Sequence, residues 1–303
     1  MNHLISMRDI KAGDIEQMLL LAEKIESGKV KPDISDKVCA LLFYEPSTRT
    51  IFSFDTAIKR MNGKSIIMAG VESSSVKKGE TFADTISTVS QYSDLIVIRS
   101  TVEGAARYAS EVSEHPIVNA GDGSNQHPSQ TLLDLYSIKK TQGTLENLSI
   151  ALVGDLRFGR TIHSLVYGLS HFSPTFYLVA PSHLRLPSYI RHDPALKSVN
   201  FIDSPNLAEI IPNLDIMYVT RVQKERFVDA EEYEKVKNSY QITRQLIEEN
   251  NPKQSLKILH PLPRVNEITT DVDETKYAYY FQQARNGLFI RQAIISKLLG
   301  AAK

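Results

Sequence analysis

One cysteine in 303 residues leaves no internal disulfide and no CxxC metal pair, which suits a reducing compartment. Cys39 lies in Val38-Cys39-Ala40-Leu41-Leu42-Phe43 and reads as a core residue, because a free thiol packs as a small hydrophobe. Neither sign of charge is in excess: 35 Lys and Arg balance 35 Asp and Glu. No global field therefore draws nucleic acid or an anionic membrane, and any anion site has to be built locally. No apolar run approaches the ~18 residues of a membrane span, and MNHLISMRDI lacks the apolar segment of a secretory signal. These absences predict a soluble, cytoplasmic protein with no nucleic-acid or membrane partner. Low-complexity tracts and internal repeats are missing too, so a solenoid is not expected.

What the chain does contain is alternation. Apolar, β-rich runs at 38–44, 65–68, 95–99, 117–120, 150–154, 176–180, 199–202, 216–220 and 257–260 are separated by helical patterns. The helical stretches fall at 14–27, 49–61, 81–92, 104–113, 129–140, 160–171, 207–212 and 230–239, with a last apolar helix at 288–299. Unbroken runs such as Leu95-Ile96-Val97-Ile98 suit parallel strands covered on both faces. Strand and helix in turn predict an α/β fold of doubly wound parallel sheets with right-handed crossovers. At roughly 100–200 residues per domain, the length suggests two domains. The helix at 129–140 and the turn Thr141-Gln142-Gly143-Thr144 mark the boundary, after which 148–154 opens a new strand–loop–helix unit. Ligands of such folds sit beyond the carboxyl ends of the strands, so the active site is expected in the cleft between the two domains.

The motif with the most chemistry is Glu45-Pro46-Ser47-Thr48-Arg49-Thr50, placed after a strand and before a helix. Pro46 ends the strand, Ser47 is a suitable N-cap, and helix-terminal amides beside hydroxyls and an arginine make a phosphate site. Arg99 stands where a side chain leaves the sheet, although an arginine there alone is more often a surface ion pair. The stretch from Asn119 to Gln130 is rich in turn residues, yet His127 and Gln130 near its helix start are hydrogen-bonding groups. Gly154-Asp155-Leu156-Arg157-Phe158-Gly159-Arg160 lacks the middle glycine of a dinucleotide loop and offers arginines instead. It reads as a carboxylate or phosphate binder with Arg160 as the ligand. Arg221 and Gln223 follow another apolar strand, and His260-Pro261-Leu262-Pro263-Arg264 follows a third. Two prolines in that loop can hold a backbone carbonyl facing outward. Several arginines, a histidine, hydroxyls and amides, with no nucleophile and base pair, suit electrostatic and proximity catalysis on an anionic substrate.

In this order and spacing the segments resemble the catalytic chains of the aspartate carbamoyltransferase family along nearly the whole sequence. The matching motifs are EPSTRT at 45–50, KKGET at 77–81, EGAAR at 103–107, NAGDGSNQHPSQTLLDL at 119–135, VGDLRFGRTIHSL at 153–165, TRVQKERF at 220–227 and HPLPRVNEI at 260–268. An ornithine-specific relative would carry a cysteine after the loop histidine, and here Pro261 follows His260. The resemblance implies a carbamoyl-phosphate-binding domain over 1–138 plus 286–303 and an aspartate-binding domain over 139–285. It implies transfer of the carbamoyl group to the amine of L-aspartate, an early step of pyrimidine biosynthesis, with no metal or organic cofactor.

By the same resemblance Ser47, Thr48, Arg49, Thr50 and Arg99 would hold the phosphate, with Glu45 a structural ion-pair partner. Thr50, Arg99 and His127 would polarise the carbamoyl oxygen, while Gln130 and the carbonyls of Pro261 and Leu262 would grip the carbamoyl amino group. Arg160 would bind the α-carboxylate of aspartate, and Arg221 with Gln223 its side chain, Lys78 and Leu262 also facing this substrate. Lys78 and Ser74, or one of its neighbours Ser73 and Ser75, would enter the site from another subunit of a homotrimer, with regulatory chains as possible further partners. Rival readings are a carbamoyltransferase for another amine, a nucleotide-dependent oxidoreductase using 154–160, and a non-catalytic anion-binding scaffold.

Overall fold

Parallel strands covered on both faces must be apolar throughout, and this requirement shapes the inner strands of both sheets. The computed structural model describes residues 1–70, 79–222 and 240–302. Two units emerge, Met1–Leu133 with Arg285–Lys303, and Asp134–Ala284. In the first, β1 (Val38–Phe43), β2 (Lys64–Ala69), β3 (Leu95–Ser100) and β4 (Ile117–Asp122) form a parallel sheet in the order β2-β1-β3-β4. One face packs Ala40, Leu42, Ile96, Ile98 and Ile117 with Ile86, Ala106 and Ala109 from helices α3 (Phe82–Ser90) and α4 (Ala105–Val112). Alternation turns Cys39, Leu41 and Phe43 to the other face, and helix α2 (Thr48–Arg60) packs on β1 and β2. Cys39 is fully buried, and burial, with Asp94 adding to it, pushes its thiol up to about 12. Such a thiol is inert at neutral pH.

The second unit holds β5 (Ser149–Val153), β6 (Thr175–Val179), β7 (Asn200–Asp203), β8 (Ile216–Val219) and β9 (Lys257–Leu259). They run parallel in the order β7-β6-β5-β8-β9. Ala151, Val153, Met217, Val219 and Ile258 pack with Ile211, Ile242, Ile247 and Tyr280. Helix α6 (Arg160–Leu169) follows β5 and is buried almost all round. Helices Pro128–Gln142 and Tyr280–Leu298 each run across the sequence boundary of the units.

Both sheets reverse their winding direction. The chain goes from β1 outward to β2 and returns to β3 on the other side; in the second sheet it returns from β7 to β8 beside β5. At β1/β3 and at β5/β8 the connecting helices diverge, and the loops at the carboxyl ends open a crevice. The two-sheet α/β fold predicted from the sequence is therefore the fold observed.

All nine predicted strands occur to within two residues at either end, and the predicted helix at 230–239 lies outside the described residues. The last helix begins at Tyr280, eight residues before the predicted start at 288. Gln283, Asn286, Arg291 and Gln292 are all buried in it, and polar residues inside break the apolar periodicity that reveals a helix. Helix Arg244–Glu249 escaped the sequence reading because Ile247 alone is buried. Its start is nevertheless marked: the Thr243 hydroxyl accepts from Leu246 N–H at 3.0 Å.

Candidate active site

The first switch point gathers EPSTRT and Arg99. Tyr44 N–H still donates to the Arg99 carbonyl at 2.8 Å, after which Pro46 has no donor and the chain turns into α2. Ser47 occupies the cap position, but its hydroxyl donates to Thr50 Oγ1 at 2.9 Å and caps no amide of α2. This corrects the expected N-cap: the side chain is spent on Thr50, and the first-turn amides are left to another acceptor. No acidic residue stands in that turn, and Arg49 does. A cation at a helix N-terminus opposes the macrodipole, whereas an anion bound there satisfies dipole, amides and arginine together. Thr48 and Arg49 are exposed, and Thr50 is buried.

Arg99 is the penultimate residue of β3, the neighbouring strand. Its Nη2 donates to Glu45 Oε1 at 3.0 Å and its Nη1 to the Ala120 carbonyl at 3.3 Å. Both side chains are largely buried, so the guanidinium is held in one place by its counter-ion.

The loop after β4 is organised by a carboxylate that sequence reasoning passed over as turn chemistry. Asp122 is buried and accepts from the Gln126 N–H and Asn119 Nδ2 on one oxygen, at 3.0 and 2.9 Å. Its other oxygen accepts from the Gly104 N–H and Asn125 Nδ2, at 2.8 and 3.0 Å. Four donors fix a loop that would otherwise bury unmatched amides. It delivers His127 and Gln130, both buried, at the start of helix Pro128–Gln142. Ser129 Oγ lies 3.3 Å from His127 Nδ1.

The second switch point holds the arginines of the second half. Gly154 has φ +108°, and a Cβ there would stand 2.3 Å from the Thr220 carbonyl oxygen, so only glycine lets the ends of β5 and β8 approach. Asp155 N–H donates to Thr220 Oγ1 at 3.1 Å, tying the two loops together. Asp155 Oδ1 in turn accepts from Arg157 and Phe158 N–H at 3.1 and 2.9 Å. Arg160 is the first residue of α6, which has no side-chain cap and no acid in its first turn. Arg221 follows Thr220 directly after β8, and both arginines are partly exposed.

Next to β8 lies β9, and the 260–264 loop leaves it at the same sheet edge. His260 is buried: its N–H donates to Gln283 Oε1 at 2.9 Å, and Nε2 lies 2.7 Å from Glu267 Oε1. Leu262 N–H donates to His260 Nδ1 at 2.7 Å. Glu267 Oε2 accepts from Val265 and Asn266 N–H, both at 3.1 Å. Burial raises the Glu267 carboxyl, but the His260 hydrogen bond and charge and the backbone amides outweigh it and hold the group below its usual value. Gln283 Nε2 also donates to buried Asp134, at 2.6 Å. Neither His260 nor Glu267 was singled out from the sequence. Their seven-residue spacing around a double-proline loop is visible there, but nothing in it announces a contact. Ser73, Ser74, Ser75, Lys78 and Gln223 lie outside the described residues.

Residues 2–140 match the family described as aspartate/ornithine carbamoyltransferase, carbamoyl-P binding domain. Residues 146–298 match its Asp/Orn binding domain. The chain belongs to the aspartate/ornithine carbamoyltransferase family. It is 53% identical to the aspartate carbamoyltransferase catalytic subunit of Azobacteroides pseudotrichonymphae genomovar. CFP2, over 98% of each chain. The catalytic subunit of M. jannaschii aspartate transcarbamoylase superposes with a TM-score of 0.89 at 50% identity, covering 99% of this chain and 98% of that one. The Trypanosoma cruzi aspartate transcarbamoylase, solved with N-(phosphonacetyl)-L-aspartic acid, has a TM-score of 0.89 at 38% identity, covering 97% and 94%. Among the described residues no helix is long and apolar enough to cross a membrane.

The Glu267 geometry predicts a pH signature. A carboxyl whose folded value is depressed contributes stability above its usual value near 4.5 and loses it as pH falls through the folded value. Glu267→Gln should cost about 1–3 kcal/mol at pH 7, since an amide cannot accept on both sides. Urea unfolding at stepped pH should show this gap shrinking below about pH 4.5. A gap constant from pH 7 to pH 3 would contradict an ionised Glu267.

Proposed function

We infer that this protein transfers the carbamoyl group of carbamoyl phosphate to the amino group of L-aspartate, releasing phosphate and N-carbamoyl-L-aspartate. One observation carries the reading: Arg49 and Arg99, at a helix start and a strand end, stand at one switch point, and Arg160 and Arg221, likewise at a helix start and a strand end, stand at the other. The first group suits a phosphate, and the second suits two carboxylates. The named relative at 53% identity supports the same substrates.

In this account Ser47, Thr48, Arg49, Thr50 and Arg99 hold the phosphate, Glu45 keeping the Arg99 guanidinium aimed. Thr50, Arg99 and His127 stabilise the oxyanion that develops on the carbamoyl oxygen. With the Ser129 hydroxyl donating to Nδ1, a neutral His127 carries its proton on Nε2 and can donate it to that oxygen. Gln130 and the carbonyls of Pro261 and Leu262 accept from the carbamoyl amino group. Arg160 takes the α-carboxylate of aspartate, and Arg221 with Gln223 the side-chain carboxylate. The uncharged amine attacks the carbonyl carbon, the C–O bond to phosphate breaks, and the departing phosphate takes the amine proton. His127 is a donor here rather than the base, because a developing oxyanion needs a donor.

The reading extends to a homotrimer in the cytoplasm acting early in pyrimidine biosynthesis, with Ser74 and Lys78 crossing to a neighbour's site. Edge strand β2 supports assembly: Ile66 and Ile67 are 40% and 46% exposed on a sheet edge that no further strand among the described residues covers. Regulatory chains are a possible further partner.

Phosphate release should be rapid with aspartate and at background with ornithine; the reverse preference would overturn the substrate assignment. Arg49→Ala should lower kcat by about 10²-fold or more, as loss of a preorganised donor does. Arg221→Ala should raise the KM for aspartate at least about tenfold and leave carbamoyl phosphate nearly unchanged. Equal losses for both substrates would place Arg221 elsewhere.

Sharing between subunits is tested by mixing. Inactive Lys78→Ala and Arg49→Ala proteins, dissociated and reassembled together, should regain partial activity, because some mixed interfaces pair two undamaged halves. A confirmed mixed assembly as inactive as its parents would remove Lys78 from the site.

A further inference from the structure

We propose that His260, held by Glu267, is a positioning residue that aims the Pro261 carbonyl at the amino group of carbamoyl phosphate. The inference rests on the reading that this carbonyl accepts from the carbamoyl amino group.

The argument begins with the peptide plane. The Pro261 carbonyl and the Leu262 N–H belong to one peptide unit, and across a trans peptide they point in opposite directions. Leu262 N–H donates to His260 Nδ1 at 2.7 Å. Because His260 is 2% exposed, the N–H points toward the buried imidazole and the carbonyl away from it. A backbone N–H can only donate, so Nδ1 must be the unprotonated nitrogen. The ring proton then sits on Nε2 and is donated to Glu267 Oε1 at 2.7 Å. Glu267 is anchored on its other oxygen by the Val265 and Asn266 amides, and its own carbonyl accepts from Ile242 N–H at 2.8 Å.

The device is needed because the loop does not take this shape by default. Leu262 has φ +54°, a left-handed conformation that residues with a Cβ adopt only when their surroundings impose it. The Nδ1 acceptor imposes it from one side. From the other, His260 N–H is fixed on Gln283, which is fixed on Asp134. The tautomer matters as much as the ring: a proton on Nδ1 would face the Leu262 N–H and turn the peptide over, taking the acceptor away.

Two variants separate this role from general scaffolding. His260→Asn can place an amide oxygen near the position of Nδ1 and keep an acceptor for Leu262 N–H. His260→Gln reaches toward Glu267 and leaves that N–H without its acceptor. The readout is the ratio of dissociation constants for acetyl phosphate and carbamoyl phosphate, by titration calorimetry on the intact assembly. Acetyl phosphate carries a methyl group where carbamoyl phosphate carries the amino group, so the ratio isolates the hydrogen bonds to that group. It is also independent of how much of a variant is folded. Wild type should prefer carbamoyl phosphate by about tenfold. His260→Asn should keep most of this preference, and His260→Gln should lose at least about threefold of it through weaker carbamoyl phosphate alone. Retained preference in His260→Gln, or equal weakening of both ligands, overturns the proposal and leaves the substrate reading intact. No preference in wild type removes the carbonyl reading itself, and the proposal with it.

Discussion

A backbone amide that leaves a parallel sheet loses its ladder partner, and burying it unmatched costs about 1–3 kcal/mol. In this protein carboxylates take over the missing acceptors. At the carboxyl edges, Asp122 collects the amides of Gly104 and Gln126, Asp155 those of Arg157 and Phe158, and Glu267 those of Val265 and Asn266. At the opposite edges, Asp94 accepts from Val38 N–H and Asp215 from Ser149 N–H, each at 2.9 Å, where β1 and β5 begin. The loops at the switch points keep their shape because these acceptors are in place. Asp122 in this way fixes the loop that leads to His127 and Gln130, Asp155 the loop that leads to Arg160, and Glu267 the turn that follows Pro261 and Leu262.

The same acceptors explain how a chain with no net charge can bind anions. Carboxylates spent on backbone amides or on Arg99 are turned inward, while Arg49, Arg160 and Arg221 remain at helix starts and strand ends. Local polarity is thereby separated from overall charge. An anion at the first turn of α2 or α6 meets the helix dipole and an arginine together.

Much of this was legible in the sequence. Uninterrupted apolar runs announced the parallel strands, and an arginine or a proline-broken turn after such a run marked a candidate site loop at a strand end. EPSTRT and the 154–160 loop fell where the sheets reverse, although the reversal itself is a property of strand order that no local pattern contains. The carboxylates escaped because an Asp among Gly, Asn and Ser reads as turn chemistry, whether or not it collects amides. Ser47 misled for a related reason: its type suits an N-cap, and only the position of Thr50 decides that its hydroxyl goes elsewhere. The start of helix Tyr280–Leu298 was hidden by Gln283 and Asn286, both polar and buried, Gln283 because it holds the His260 N–H and Asp134.

The central claim is that a phosphate-type site and a dicarboxylate-type site on this chain serve one reaction. N-(phosphonacetyl)-L-aspartic acid joins both groups in a single molecule, and calorimetric titration of the wild-type protein measures whether both are engaged at once. The account predicts binding about 10²-fold or more tighter than either phosphonoacetate or aspartate, since two sets of contacts are gained for one association cost. An affinity no better than that of the tighter fragment would contradict it.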